Sequence, residues 1–439
     1  MLIEFTVGNF KSFWDKITFS MIAANLASDD PALDQDNVIP VKKDLRLLKS
    51  AAVYGANASG KSNLGTALWF MRHLILNSSR EAFTPAELGL EPFLLDRESR
   101  GQLSFFEVVF LLDDMQYRYG FEVDRTRIIS EWLFHTPKTK EVALFVREGQ
   151  VIDAKRAYKE GKGLEVRTRE AALFLSVAAL FNGNVAQRVQ QWFADFSVET
   201  GLEDDNFRDF TLDCLRDSER REMLLDFIRG LDLGIVDVFV PPEPPAEALP
   251  KEWSDDLKKR FIAESTHRIL VTHILKEPVE TTDDLHLFDL DRQESQGTRK
   301  LVALAGPLYS ILEHGTILFI DELDARLHPL MTRRIIELFH SPLTNPKGAQ
   351  LIFATHDTNL LDKSLFRRDQ IWFAEKDQQG ATHLASLAEY RVRNDAAFEK
   401  NYLEGRYGAI PFLGDLTRLP WAKGGEASEE GAEREPVHA

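Results

Sequence analysis

The chain has 439 residues, carries a formal net charge of −17 and contains one cysteine, Cys214. This length allows two or three domains of ordinary globular composition; the acidic balance argues against a surface that coats nucleic acid while leaving room for a local basic groove, and the lone cysteine excludes an internal disulfide or a multi-cysteine zinc site. No apolar run reaches the length of a membrane span, and the opening Met1-Leu-Ile-Glu-Phe does not read as a signal peptide, so a cytoplasmic protein without membrane attachment is expected.

Residues 2–7 alternate like a half-buried strand. Asn9-Phe10-Lys11-Ser12-Phe13 follows, then a second strand-like run near Ile17–Met21, then polar, mixed residues 26–49 that predict loop with a short strand. Ala51–Tyr54 is an apolar strand running into Gly55-Ala-Asn-Ala-Ser-Gly60-Lys61-Ser62, and Asn63–Met71 has helical apolar spacing, with helix predicted to about Asn77. Strand, Gly-rich loop and helix form the context of a phosphate-cradling P-loop. Gly55 and Gly60 let successive N–H groups turn toward phosphate oxygens, and the helix N-terminus adds positive partial charge. Lys61 is expected to reach the β- and γ-phosphates, and the Ser62 hydroxyl to ligate Mg²⁺.

Leu103–Val123 reads as a hairpin turning at Asp113-Asp114, with a further strand pair at Glu131–His135 and Val142–Arg147. Residues 169–196 are predicted helical with a break at Asn182-Gly183-Asn184; a helix over 217–230 starts at the cap Asp217, and Ile235–Val240 is a strand. Five prolines between Pro241 and Pro250 predict an extended linker or exposed loop. Helix is expected over 251–262 and strands over 268–274 and 285–290, after which helix and strand alternate. Lys423–Ala439, rich in Gly, Glu and Ala without apolar periodicity, is expected to be a disordered acidic tail.

The second half supplies further phosphate chemistry. Glu294-Ser295-Gln296-Gly297-Thr298-Arg299-Lys300 opens an apolar helix, so a hydroxyl, free N–H groups and the helix dipole form another anion site. Because the chain already has a P-loop, the natural use of this second site is to contact a γ-phosphate held by another subunit. Ile317–Ile320 is an apolar strand ending in Asp321-Glu322, a Walker B pattern: Asp321 would hold Mg²⁺ through its water shell, and Glu322 would orient or deprotonate the attacking water. Asp324 follows, and His328 before Pro329 reads as structural. Gln350–Thr355 is a strand ending in His356, where an imidazole can hydrogen-bond a γ-phosphate.

In this order the motifs resemble the ABC/SMC-like ATPase class, which includes SMC proteins, RecF and the OLD nucleases. With NFKSF at 9–13, GANASGKSNL, ESQGTRKL, DELDARLHPL, ATHDTNLLD and YLEGRYGAIPFL at 402–413, the chain is similar to the AAA-type ATPases of bacterial anti-phage defence islands, often paired with RloB-type, TOPRIM or HNH nucleases. The resemblance covers nearly all of residues 1–420. It implies an α/β fold: a P-loop NTPase, ABC-type ATPase head (a mixed sheet with flanking helices) with an inserted mixed α/β, partly helical domain. The expected division is residues 1–125 and 285–422 for the two lobes of the head, 126–284 for the insertion with its Pro-rich loop 241–250, and 423–439 for the tail.

Carried over residue by residue, the resemblance implies ATP and Mg²⁺ at Gly55, Asn57, Gly60, Lys61, Ser62 and Asn63, with Ser62 and Asp321 at the metal. It implies Glu322 as catalytic base, His356 as γ-phosphate sensor, Ser295 and Gly297 acting in trans, and Asp324 at the position of a subunit-communicating Asp. Lys11 matches a nucleotide-contacting basic residue of some SMC-like heads or is a solvated strand-edge Lys. The chain departs from the class in its ESQGT signature, in the lack of a long coiled coil or C-terminal TOPRIM domain, and in its Q-loop, for which Gln102 is a weak candidate. Arg260 and His267 have a loose ribonuclease-like spacing without a nuclease constellation around them. The expected function is an ATP-hydrolysing homodimeric or higher-order switch controlling a separate effector nuclease or toxin. A RecF-like DNA-repair or DNA-end-binding ATPase and a non-hydrolysing, toxin-sequestering scaffold remain as alternatives, so nucleic acid stays open as a partner.

Overall fold

The computed structural model describes residues 1–80, 88–202, 205–231, 233–245, 248–273, 286–392 and 396–411; the expected acidic tail lies outside them. The chain opens with β1 (Leu2–Gly8) and β2 (Ile17–Ser20). Where a loop with one short strand was expected, Asp30 caps a short helix α1 (Pro31–Asp36), and β3 (Val38–Lys42) pairs with β4 (Leu45–Leu48). β5 (Ser50–Tyr54) then feeds the Gly-rich loop and α2 (Lys61–Asn77).

β6 (Ser104–Leu112) and β7 (Met115–Val123) form the expected hairpin. Its turn residues Asp113 and Asp114 both have positive φ, 47° and 61°, as a tight two-residue hairpin turn requires. β8 (Ile128–Thr136), β9 (Val142–Glu148) and β10 (Val151–Ala154) follow. They extend one seven-stranded antiparallel sheet of order β10-β9-β8-β7-β6-β1-β2, so a boundary at residue 126 falls inside a continuous sheet. α3 (Phe174–Leu180) and α4 (Asn184–Ala194), broken where Asn182-Gly183 were expected to break them, pack against α2. β11 (Phe196–Thr200) completes this part of the chain.

The buried Glu131–Arg147 pair locks helix α3 onto the antiparallel sheet. Glu131 accepts from Phe174 N (2.6 Å), Leu175 N (3.0 Å) and Tyr119 OH (3.0 Å), and the Arg147 guanidinium lies 3.6 Å away, donating to Ala172 O at 2.6 Å. Burial pushes the Glu131 carboxyl above its ordinary value, opposed by Arg147 and these donors.

A separate layer follows: α5 (Asp205–Arg216), α6 (Ser218–Gly230), capped by Asp217, β12 (Ile235–Phe239), α7 (Asp255–Thr266), capped by Ser254, β13 (Leu270–His273) and β14 (Phe288–Asp289). Its three strands form their own small sheet, β12-β13-β14. Pro241, Pro242, Pro244, Pro245 and Pro250 lie outside helix and strand, as proline's missing N–H and fixed φ demand.

α8 (Leu290–Gln293) leads into α9 (Gln296–His314), β15 (Ile317–Asp321), α10 (Pro329–His340), β16 (Gln350–Ala354), β17 (Ile371–Lys376), β18 (Thr382–Ser386) and α11 (Phe398–Leu403). The second large sheet has order β11-β15-β16-β5-β17-β18, parallel from β11 to β17, with β18 antiparallel at the edge. β5, β15 and β16 are near-continuous apolar runs because they are covered on both faces. The topology sets the C-terminal ends of β5, β16 and β15 side by side, the edge at which α/β sheets bind ligands. Among the described residues no helix is long and apolar enough to cross a membrane.

Candidate functional site: a phosphate loop facing an acidic strand end

The loop after β5 is shaped from behind as well as from the ligand side. A Cβ at Gly55 would overlap Ala374 O of β17 and stand 2.5 Å from Ser59 Oγ. Gly60 has φ 100°, and a Cβ there would overlap Thr382 Oγ1 and stand 2.7 Å from Ser12 Oγ. Both positions therefore need glycine to let β17, β18 and the 9–13 turn close against the loop. The Lys61 side chain curls back over the loop, its Nζ donating to Gly55 O (2.7 Å) and Ala56 O (3.0 Å). Burial lowers the Lys61 ammonium pKa, while Asp321, Glu322 and Asp324 push it back up. Asn57 and Ser62 are exposed on the open side of the loop. No acidic residue occupies the first turn of α2, which leaves the helix N-terminus free to favour an anion. Asn63 Nδ2 donates to Ser12 Oγ at 2.6 Å, bracing the turn behind the loop.

β15 delivers Asp321 at its last position, two strands from β5. Asp321 Oδ1 is buried and has no hydrogen-bond partner among the described residues, and Asp324 Oδ1, Asp357 Oδ2, Tyr54 OH and Ser59 Oγ share that condition. Carboxylate oxygens held this way at a sheet edge, with Lys61 in electrostatic reach, suit a hydrated cation bridged to phosphate. Among the described residues no cluster of three or more His, Cys, Asp or Glu could hold a metal ion by itself, so a cation here would depend on phosphate oxygens and Ser62 for its remaining ligands.

Glu322 follows with φ 54°, in the left-handed region that costs a residue with a Cβ about 1–2 kcal/mol. Hydrogen bonds hold the turn on both sides: Gly201 N to Asp321 O (2.6 Å), Leu323 N to Ala354 O (3.2 Å) and Ala325 N to Glu322 O (3.1 Å). His356 stands just past β16. Desolvation first, and the Lys61 charge second, hold its imidazole below the ordinary value, with Asp324, Glu322 and Asp321 opposing. Lys61, Asp321, Glu322, Asp324 and His356 thus form one electrostatic group. Asp324 also acts inward, raising the Tyr54 phenol pKa together with burial and Asp357.

Ser295 caps α9, accepting from Thr298 N at 3.1 Å, with Thr298 Oγ1 2.9 Å away. Gly297 faces Arg326 O, which a Cβ would approach to 3.1 Å, and Arg326 reaches Leu202 O beyond β11 at 3.1 Å. The signature turn therefore stands on the β11 side of β15, whereas the P-loop leaves β5 on the other side. One turn further along α9, Lys300 Nζ donates to Leu323 O (3.0 Å) and Ala325 O (2.6 Å).

Other sequence candidates have structural surroundings. His328 caps α10, Nδ1 accepting from Leu330 N at 3.2 Å. Lys11 pairs with Glu91 at 3.1 Å. Gln102 is exposed at the end of a short turn, its carbonyl accepting from Asn9 Nδ2 at 3.0 Å. Arg260 pairs with Asp256 (3.5 Å), and His267 is held by Ala263 O (2.7 Å) and by Asp209 (3.6 Å). The sequence reading missed Ser12, Thr382, Gly201 and Lys300. Ser12 and Lys300 lay inside the quoted NFKSF and ESQGTRKL runs; Thr382 and Gly201 act across gaps in sequence that no local pattern spans.

A model of the family described as "AAA domain, putative AbiEii toxin, Type IV TA system" matches residues 50–362. No curated protein matches the chain. Among solved structures, the SMC head domain from Thermotoga maritima is 14% identical over 88% of this chain and 98% of its own, with TM-score 0.41. The Pyrococcus furiosus Smc head domain with an extended coiled coil, bound to the C-terminal domain of ScpA, is 13% identical over 88% and 96%, with TM-score 0.40. The Pyrococcus yayanosii Smc head domain with a coiled coil and joint is 12% identical over 92% and 99%, with TM-score 0.37. With the family match running from the P-loop strand through the strand that precedes His356, the chain belongs to this AAA-domain family.

Proposed function

We propose that the protein is a Mg²⁺-dependent ATPase that closes as a head-to-tail dimer around ATP and, in that state, controls a separate effector nuclease or toxin in bacterial anti-phage defence. The observation that carries the reading is the grouping of Lys61, Asp321, Glu322 and His356 at one sheet edge, with an unpartnered buried oxygen on Asp321. The family description, which names a putative toxin of a type IV toxin–antitoxin system, favours a role in such a system over DNA repair. The acidic balance of the chain weighs against the DNA-binding alternative.

In this reading the N–H groups of residues 55–62 cradle the phosphates, with Asn57 at the open rim. Lys61 exchanges its two carbonyl partners for phosphate oxygens, a swap that relieves a partly desolvated ammonium. Ser62 and Asp321 hold the cation, which when bound neutralises charge on the β- and γ-phosphates. Glu322 receives a proton from the attacking water, and His356, kept neutral, offers a hydrogen bond to the γ-phosphate. Ser295 and Gly297, at the N-terminal turn of α9, complete the site of a second copy. The insertion and the C-terminal segment pass the closed state to the effector; the small sheet to which the insertion contributes β12 and β13 is separate from the two large ones.

The test is Glu322→Gln. This variant is expected to bind ATP, release phosphate slowly and accumulate as a nucleotide-bound dimer in light scattering. Phosphate release at the wild-type rate overturns the base assignment, and Lys61→Ala with retained tight ATP binding overturns the P-loop reading.

A further inference from the structure

We propose that Lys300 is a positioning residue that ties the helix carrying Ser295 to the turn carrying Glu322, so that engagement of a partner's phosphate by one copy sets the catalytic geometry at its own P-loop site. This inference rests on the active-site reading above.

Lys300 is fully buried, and its ammonium donates to Leu323 O (3.0 Å) and Ala325 O (2.6 Å), the carbonyls on the turn just beyond Glu322. Gly201 closes the same corner: its N–H holds Asp321 O, and a Cβ there would overlap Glu322 O and stand 2.9 Å from Lys300 Nζ. The left-handed Glu322 is thus held from two directions, by the end of β11 and by α9. A buried ammonium is tolerated only where its donors are satisfied, so this position favours a cation for its hydrogen bonds rather than for bulk.

The other end of the device is the signature turn. Lys300 lies five residues after Ser295, about 7.5 Å along one rigid helix. Gly297, on the same first turn, sits beside Arg326 O, which a Cβ would approach to 3.1 Å, so α9 lies close to the 321–326 segment there as well as holding it through Lys300. A displacement of the α9 N-terminus onto a partner's phosphate is carried directly to the carbonyls that fix Glu322. Turnover at one site then reports on engagement at the other.

Lys300→Met keeps the side chain's length without its donors, and Lys300→Arg keeps two donors. The expected result for Lys300→Met is a fall in turnover of about 100-fold, as a small misplacement of a catalytic group produces. Its ATP affinity should stay within about threefold of wild type, because the P-loop is untouched. Lys300→Arg should recover part of the turnover. Gly201→Ala disturbs the same corner from β11 and is expected to show the same split. Wild-type turnover in Lys300→Met or Gly201→Ala, or a parallel loss of ATP affinity and turnover in both, overturns the positioning role. Wild-type turnover in Glu322→Gln instead overturns the reading on which it rests.

Discussion

Thr382 Oγ1 lies 2.7 Å from Ser12 Oγ, and the two hydroxyls join the back of the phosphate loop to the first turn of the chain. Thr382 also bonds Ser59 O at 2.7 Å, and Ser12 receives Asn63 Nδ2 at 2.6 Å, so the link runs from α2 through the 9–13 turn and β18 to the loop. Replacing Thr382 by Val keeps the shape and leaves Ser59 O and Ser12 short of a partner. The expected cost is about 1–3 kcal/mol of stability. It is read as a lower midpoint in denaturant unfolding, accompanied by weaker ATP binding in a fluorescent-nucleotide titration.

If Ser295 serves the partner's nucleotide, two inactive variants should complement each other. Mixed equally, Lys61→Ala and Ser295→Ala chains give heterodimers with one intact composite site, and about a quarter of wild-type turnover should return. Each variant alone should hydrolyse at background. A mixture that stays at background shows that the two residues do not meet across an interface.

His340 makes a pH prediction. Its ring is buried against Ser50 Oγ (2.7 Å), and burial, with the Lys49 charge second, pushes its pKa down to about 3. Below the ordinary imidazole value the unfolded chain takes up a proton that the folded protein refuses. Stability should therefore fall as pH drops from about 6.5 toward the folded value, by up to about 1.4 kcal/mol per pH unit. His340→Gln, followed by chemical unfolding at several pH values, should show a flatter profile across this window.

The Glu131–Arg147 pair should be costly to break from one side. Arg147→Met leaves a buried carboxylate without its cation and abandons the carbonyl of Ala172. The expected loss is about 3–5 kcal/mol. Replacing both residues by apolar ones should cost less than the sum of the single changes, measured as a double-mutant cycle.

The candidate site was legible in sequence where chemistry is written locally. The loop from Gly55 to Ser62, the acids at Asp321 and Glu322 and the cap at Ser295 each occupy a few consecutive residues whose types leave little choice of role. Asn63 shows the limit: nothing in its motif announces that its amide bonds a hydroxyl 51 residues away. The antiparallel sheet was legible as hairpins but not as one sheet, because pairing of β1 with β6 joins strands separated by the whole P-loop unit. α5 was not anticipated, since Asp205–Arg216 carries charges among its apolar residues and is stabilised mainly by packing against α9. The positive φ at Glu322 has no signature in its own motif, and the groups that bond the carbonyls on either side of it, Gly201 and Lys300, lie far away in sequence.

β5 acquires its neighbours late in synthesis. It is flanked by β16 and β17, which the chain does not supply until residues 350–376, and Gln350 itself bonds Leu2 O and Leu48 O at 3.1 Å. Until those strands leave the ribosome, the P-loop strand has neither neighbour in its sheet, and its burial must wait for contacts of very long sequence separation. Nascent chains stalled before residue 350 should therefore carry the complete phosphate-loop sequence and yet capture no nucleotide, which ties nucleotide binding to the arrival of β16 and β17.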